Sequence, residues 1–361
     1  MKRRVLILGT SFGGRVQAPA FSRHPGFEVA GLAGSDAART RKIAGELGVA
    51  RASADWRGLL AELRPDLVSV ATPVDLHHPM ILAALEAGAH VLCEKPTALH
   101  VHQAVEMRDR ARVLSRVAGI NHEFRFFPAR RAALALVRAG GIGRPRRGEI
   151  LGRYPLWNRP ESRGMTWLSD VRRGGGILGA LGSHHSDCMR TFFGEPRTAL
   201  ATVRVDQPWR GAGSVAAGGA RATADDGFTL QLEFEDGATA IVDASATSPY
   251  RWERFEIHGD EATLRWDETG YTLWRIAAGK EPEAMEIPAE LRLEPREGEP
   301  PLIAPFGVMV ERLHRALEGT EPLEPNFDDA VAVQAVLDAA RASSAAGSRV
   351  AIARPEATLV A

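Results

Sequence analysis

The residues best suited to chemistry stand in Val91-Leu92-Cys93-Glu94-Lys95-Pro96-Thr97. A short apolar run ends in a charged pair and then a proline. In an open α/β sheet, ligands bind outside the carboxyl ends of the strands. If Val91 to Cys93 form a buried strand, Glu94 and Lys95 lie at such an end. Proline fixes φ and lacks a backbone donor, so the chain cannot continue as a central strand. A lysine held at that stop is a candidate proton donor or acceptor. The competing reading is a strand end capped by a solvated ion pair.

A second loaded stretch runs Gly174-Gly175-Gly176-Ile177-Leu178-Gly179-Ala180-Leu181-Gly182-Ser183-His184-His185-Ser186-Asp187. Three glycines let backbone pass close to another surface. The segment after them has a helical pattern, in which His184 and Asp187, three apart, share a face. His185 lies about 100° further around, where packing or solvent is expected rather than catalysis. An unperturbed imidazole titrates near pH 6.5, which suits His184 to acid–base work.

A third stretch, Gly9-Thr10-Ser11-Phe12-Gly13-Gly14, follows the apolar run Val5 to Leu8 and precedes a helical pattern from Arg15 to Arg23. Strand, glycine turn and helix are the context of a dinucleotide fingerprint. Gly9 and Gly14 occupy the first and third glycine positions, and Ser11 the second. At the end of the next strand, Glu28 to Ala33, an NAD site places an acid on the ribose hydroxyls. Here the strand ends in Gly34-Ser35-Asp36, with Arg39 a turn later. Ser35 and Arg39 suit a 2′-phosphate, which favours NADP over NAD. The alternative is that Asp36 contacts the ribose or caps the helix, with Arg39 in solvent.

Positioning these residues needs an alternation of strands and helices. Leu67 to Ala71, Val91 to Cys93 and Val117 to Ile120 read as further buried strands. Ala37 to Leu47, Trp56 to Leu63, Pro79 to Glu86 and His100 to Arg112 read as helices. The pattern predicts a doubly wound parallel sheet over residues 1–120. Residues 121–361 read differently. A helix over Ala129 to Ala139 is followed by strands at Ala201 to Val205, Phe228 to Phe234, Ala238 to Ala244, Phe255 to Gly259 and Thr263 to Trp266. That order predicts an α+β domain with a large, mostly antiparallel open sheet. Gln207 to Ala224 reads as a mobile loop and 277–302 as an exposed excursion. Helices at Pro305 to Leu317 and Asn326 to Ala346 close the chain, with Asn326 as an N-cap and Gly347 past the end.

The totals exclude several classes. In 361 residues, 45 Lys and Arg balance 45 Asp and Glu, so no net field recruits nucleic acid or an anionic membrane. No apolar run reaches the roughly 18 residues of a membrane span, and the start is too short for a signal peptide. Two cysteines, Cys93 and Cys188, form no metal-ligand spacing or disulfide framework and fit a reducing cytoplasm. No metal is expected.

Gly9 to Gly14, Ala71-Thr72-Pro73 with His77, Ala87-Gly88 before a strand and Glu94-Lys95-Pro96 occur in an order and spacing that resembles the Gfo/Idh/MocA oxidoreductases. The likeness extends over nearly the whole chain. It implies an N-terminal Rossmann domain binding NAD or NADP and a substrate-binding C-terminal domain. Cofactor contacts would come from Gly9, Ser11, Phe12, Gly13, Gly14, Ser35, Arg39, Thr72, Pro73, His77, Glu94 and Lys95. Lys95 would contact both substrate and nicotinamide, and His184 would exchange the substrate proton. His122, Arg125, Trp157, Asn158 and Asp187 are further candidates for substrate contact. The competing readings are an ion-paired Arg125 and a core-packed Trp157. The family's Asp-x-x-x-His places the histidine at His184, but Ala180 stands at the aspartate position. Loss of that anion would lower the Lys95 pKa and leaves the partner of Lys95 undisclosed. The implied activity is hydride transfer to or from a hydroxyl or carbonyl carbon of a sugar, polyol or related molecule, in a homodimer or homotetramer formed through the C-terminal sheet. A nucleotide- or sugar-sensing role without catalysis, and redox-assisted glycoside cleavage, remain as alternatives.

Overall fold

The computed structural model describes residues 1–211, 220–267 and 269–353. The described chain divides into two compact units. The first holds Met1–Phe126 and Leu293–Val331, and the second Phe127–Arg292 with residues 332–353.

In the first unit, six strands pair in parallel in the order β3-β2-β1-β4-β5-β6. They are β1 Arg3–Leu8, β2 Phe27–Ala33, β3 Ala52–Ser53, β4 Leu67–Val70, β5 His90–Cys93 and β6 Ala118–Ile120. The interior strands β1, β4 and β5 are continuously apolar because helices cover both faces, as parallel sheets require. The chain order reverses between β1 and β4, which sets a topological switch point there. On one face, α3 (Trp56–Leu63), α4 (His77–Glu86) and α5 (Val101–Val113) supply a core around Leu60, Ile81, Leu85 and Met107. α4 starts at His77, two residues before Pro79. A proline is tolerated there because the first turn has no intrahelical acceptor for its missing N–H.

The other face corrects the expected domain boundary. Helix α1 (Ala18–Arg23) packs there against α8 (Ile303–Leu317), which comes from late in the sequence. Phe306 lies edge-on to Phe21 at 5.7 Å between ring centroids. Residues 121–126 and 293–331 therefore belong to the first unit. The single break expected at 120/121 fails because α8 completes a core that α1 alone leaves open.

In the second unit, nine strands run β14-β13-β12-β11-β7-β10-β9-β8-β15. All neighbours are antiparallel except β10 and β7. The expected strands are found as β8 Pro196–Arg204, β9 Gly227–Phe234, β10 Thr239–Ser245, β11 Thr247–Gly259 and β12 Ala262–Asp267. The central strand β7, Pro145–Pro155, escaped the sequence reading. Its terminal prolines, three arginines and two glycines give it little strand propensity. Its alternation is visible only once paired, with Ile150 and Tyr154 inward. Part of the expected excursion is sheet edge: β13 (Leu273–Ala277) pairs with β14 (Glu283–Met285). Helices α6 (Pro128–Arg138) and α7 (Ser183–Phe193) pack on one face of the sheet. Helix α9, Phe327–Ala346, starts in the first unit and ends in the second. Asn326 Oδ1 accepts the Asp328 N–H at its start, and Gly347 follows it at φ +63°. The expected mobile loop falls largely on residues 212–219, outside the described residues.

Phe306→Ala should cost about 3–5 kcal/mol, the usual range for truncating a buried phenylalanine. Denaturant titration reads it, and an unchanged midpoint would remove α8 from the first core.

Candidate active site

The end of β1 is built for close approach. Gly9 sits at φ +119°, and a Cβ there would lie 2.2 Å from the Ala71 carbonyl oxygen. Its N–H donates to Ala33 O at 2.8 Å, while Ala71 N–H donates to Leu8 O at 2.7 Å. The ends of β1, β2 and β4 are thus laced together where the strand order reverses. The next helix begins with a π-helical turn, Gly13–Gln17, before α1. Such wide turns recur at functional sites because they re-aim side chains. Here the turn delivers Gln17 into the interior with no exposed surface. Ser11 and Arg15 remain exposed on the outside of the turn. A glycine turn that only glycine can make, feeding a helix N-terminus at the switch point, fits the pyrophosphate of a dinucleotide.

At the adenosine end, Ser35 and Arg39 are exposed. The Asp36 carboxylate caps α2 (Ala37–Glu46) by accepting the Arg39 N–H at 2.8 Å.

The end of β5 carries the electrostatics. Glu94 is buried, and its Oε1 accepts from Gln17 Nε2 at 2.8 Å and from Asn121 Nδ2 at 2.6 Å. Ser69 Oγ donates to Gln17 Oε1 at 2.9 Å, which fixes the orientation of the amide. Burial pushes the Glu94 carboxyl above its ordinary range, against the Lys95 ammonium and the two amide donors. Lys95 keeps partial access to solvent beside it. A further acid, Glu123, lies on the 3₁₀ turn Glu123–Phe126 and is 1 % exposed. Burial, and next the Glu94 charge, push it up to about 8, while Lys95 pulls it down. Two carboxyls therefore face one ammonium. The anion missing at Ala180 has counterparts within the first unit itself.

His77 is fully buried. Its Nε2 lies 2.9 Å from Thr72 O, and its Nδ1 lies 3.1 Å from Pro96 O and 3.2 Å from Thr97 O. Burial lowers its pKa, so the ring is neutral and one nitrogen donates. It ties the Thr72-Pro73 end of β4 to the turn after Lys95 instead of lining a pocket as an exposed group.

In the second unit the triple glycine does what its composition suggests. Gly176 has φ +110°, and a Cβ there would lie 2.1 Å from Asp225 Oδ1. Asp225 Oδ2 in turn accepts the Leu178 N–H at 2.7 Å, and burial pushes this carboxyl up to about 6. The π-helical turn Leu178–Gly182 follows and runs into α7. His184 is buried on α7. His185 is also buried, with its ring 5.8 Å from that of Phe255, as expected of a packing residue.

Three expected substrate contacts are committed elsewhere. Arg125 pairs with Asp329 at 2.7 Å. Asp187 has no exposed surface and accepts from Arg130 Nη2 at 3.1 Å. Trp157 is fully buried, with the Arg210 guanidinium 3.9 Å from its ring centroid. Asn158 accepts from Ser162 Oγ at 2.7 Å, and His122 is buried beside Asn121. The sequence reading missed the roles of Gln17, Ser69, Asn121 and Glu123. Its available signal was a lone amide and a lone hydroxyl at core positions, Gln17 between Val16 and Ala18 and Ser69 inside β4. Buried polar groups are hydrogen-bonded, so each implies a partner.

A dinucleotide turn at the switch point of a doubly wound sheet, with a lysine beside it, defines an NAD-binding oxidoreductase. The chain belongs to the GFO/IDH/MocA family: residues 3–122 match its "Oxidoreductase family, NAD-binding Rossmann fold" model, and residues 130–265 match its C-terminal domain model. A similar protein is 1,5-anhydro-D-fructose reductase of Ensifer adhaerens, 30% identical over 259 residues, spanning 72% of this chain and 74% of that one. Levoglucosan dehydrogenase of Pseudarthrobacter phenanthrenivorans is 27% identical over 72% of both chains. A solved levoglucosan dehydrogenase in complex with NADH and levoglucosan shares the fold at a TM-score of 0.88 and 23% identity, covering 98% of this chain and 100% of that one.

Asn121→Leu removes a donor from a buried carboxylate and should destabilise the protein by about 1.5–3 kcal/mol, the range for hydrogen bonds to charged groups. Chemical denaturation reads the loss, and a neutral variant would show that Gln17 alone suffices for Glu94.

Proposed function

We propose that this oxidoreductase acts on a hydroxyl or carbonyl carbon of a sugar, polyol or related small molecule. The observation that carries it is the Glu94-Lys95 pair at the end of β5, one strand from the switch point, with Glu94 anchored by Gln17 and Asn121. The relatives named as a sugar reductase and a sugar dehydrogenase support the substrate class. Bound nicotinamide supplies the hydride acceptor or donor. Gly9, Gly13 and Gly14, with Ser11 and Phe12, would hold its pyrophosphate, and Thr72 and Pro73 would flank it. Lys95 and His184 would take up or return the hydroxyl proton and stabilise developing oxyanion charge.

Within NAD(P) we propose a preference for NADP. Support comes from the Asp36 carboxylate being occupied in capping α2, and from Arg39 being exposed one turn on. We place the protein in the cytoplasm: both cysteines are free, and no helix among the described residues is long and apolar enough to cross a membrane. We also propose a homodimer or homotetramer joined through the second sheet. The exposed Tyr250 and Trp252 of β11 support it; a monomeric mass in light scattering would overturn it.

Lys95→Ala should keep nicotinamide binding and lower turnover by about 10²–10⁴-fold, the usual worth of a positioned acid–base group. The measurement is NADPH and NADH fluorescence titration, followed by a screen of sugars and polyols with the tighter cofactor. Full activity of the variant would remove Lys95 from the mechanism, and binding of NADH alone would overturn the reading of Ser35 and Arg39.

A further inference from the structure

We propose that Glu123 is a positioning residue for this reaction, a second acid at the end of β5 whose ionisation sets the charge facing Lys95. The inference rests on the assignment of Lys95 above and names the partner that the alanine at position 180 leaves missing. Three placements carry it. Asn121 N–H donates to Cys93 O at 2.8 Å, so the segment leaving β6 runs beside the segment leaving β5. Asn121 Nδ2 reaches Glu94 at 2.6 Å. Two residues on, Glu123 is buried on the 3₁₀ turn, where it feels the charges of both Glu94 and Lys95.

Two buried carboxylates beside one ammonium leave an excess negative charge, which a low-dielectric site relieves by keeping one proton. Glu94 has two amide donors that favour its anion. Glu123 is therefore the acid that keeps the proton, in line with its upward shift to about 8. The other charged groups near the turn do not substitute for it. Arg125 on the same turn is engaged by Asp329 of α9, and Arg312 of α8 lies over the Phe126 ring at 5.5 Å. His122 adjoins it in sequence and is buried. Below the Glu123 transition, Lys95 faces one carboxylate anion. Above it, Lys95 faces two, and its ammonium becomes harder to deprotonate. A neutral amine would then be scarcest where bulk pH alone would favour it.

The test needs no turnover. Infrared difference spectra of the full chain between about pH 6 and about pH 10, bracketing the raised acid, should show a protonated-carboxyl C=O band that disappears with a midpoint near 8. The band should be absent in Glu123→Gln and should move to lower pH in Glu94→Gln, which removes the repelling charge. Competitive acetylation of Lys95, read by peptide mass spectrometry, should be equal in wild type and Glu123→Gln below the transition. Above it, labelling should be several-fold faster in Glu123→Gln. No band, a band that survives Glu123→Gln, a midpoint indifferent to Glu94→Gln, or identical labelling at every pH would each overturn the inference. If these hold while no sugar or polyol is turned over, the proposed substrate class fails and the charge control of Lys95 stands.

Discussion

A buried carboxylate that must be held ionised beside a lysine is the constraint on which the first unit is arranged. Glu94 has left solvent, and an ion there is tolerated only with donors and a counter-charge. Gln17 and Asn121 supply the donors and Lys95 the charge. Each donor is fixed by a separate element: Gln17 by the wide turn after the glycine loop, Asn121 by the end of β6. The same bonds that stabilise the carboxylate thus connect the dinucleotide turn to the lysine. Ser69 inside β4 completes the set by orienting the Gln17 amide.

The two halves of the candidate site solve the same problem by similar means. In the first unit a glycine turn brings backbone against a neighbouring strand end, and a π-helical turn then re-aims the helix. In the second, Gly176 brings backbone against Asp225, and another π-helical turn leads into the helix bearing His184. Both cases pair a position that excludes a side chain with a buried polar anchor. Asp225 acts on backbone, accepting the Leu178 N–H, where Gln17 acts on a side chain. Substituting either glycine would disturb the anchor as well as the turn.

Membership of the GFO/IDH/MocA family was legible because its signals are local. Gly9 to Gly14, Ala71-Thr72-Pro73 and Glu94-Lys95-Pro96 each sit at a strand end, so spacing alone reports strand and turn. Burial made other residues illegible. Arg125, Asp187 and Trp157 have the side chains of a sugar site, yet pairing with Asp329, pairing with Arg130 and stacking under Arg210 occupy them. Such partners are distant in sequence, and nothing in local composition announces them.

The sequence by itself determined the parallel sheet, its glycine turn, the candidate lysine and histidine, and most strands of the second sheet, because periodicity and turn chemistry act over a few residues. Only the tertiary structure decided that α8 closes the first core, that Pro145–Pro155 is the middle of a sheet, and that Glu123 shares the environment of Glu94 and Lys95. The physical reason is common to all three. Core closure, strand pairing and the cost of burying charge depend on which surfaces meet, and residues far apart along the chain supply those surfaces.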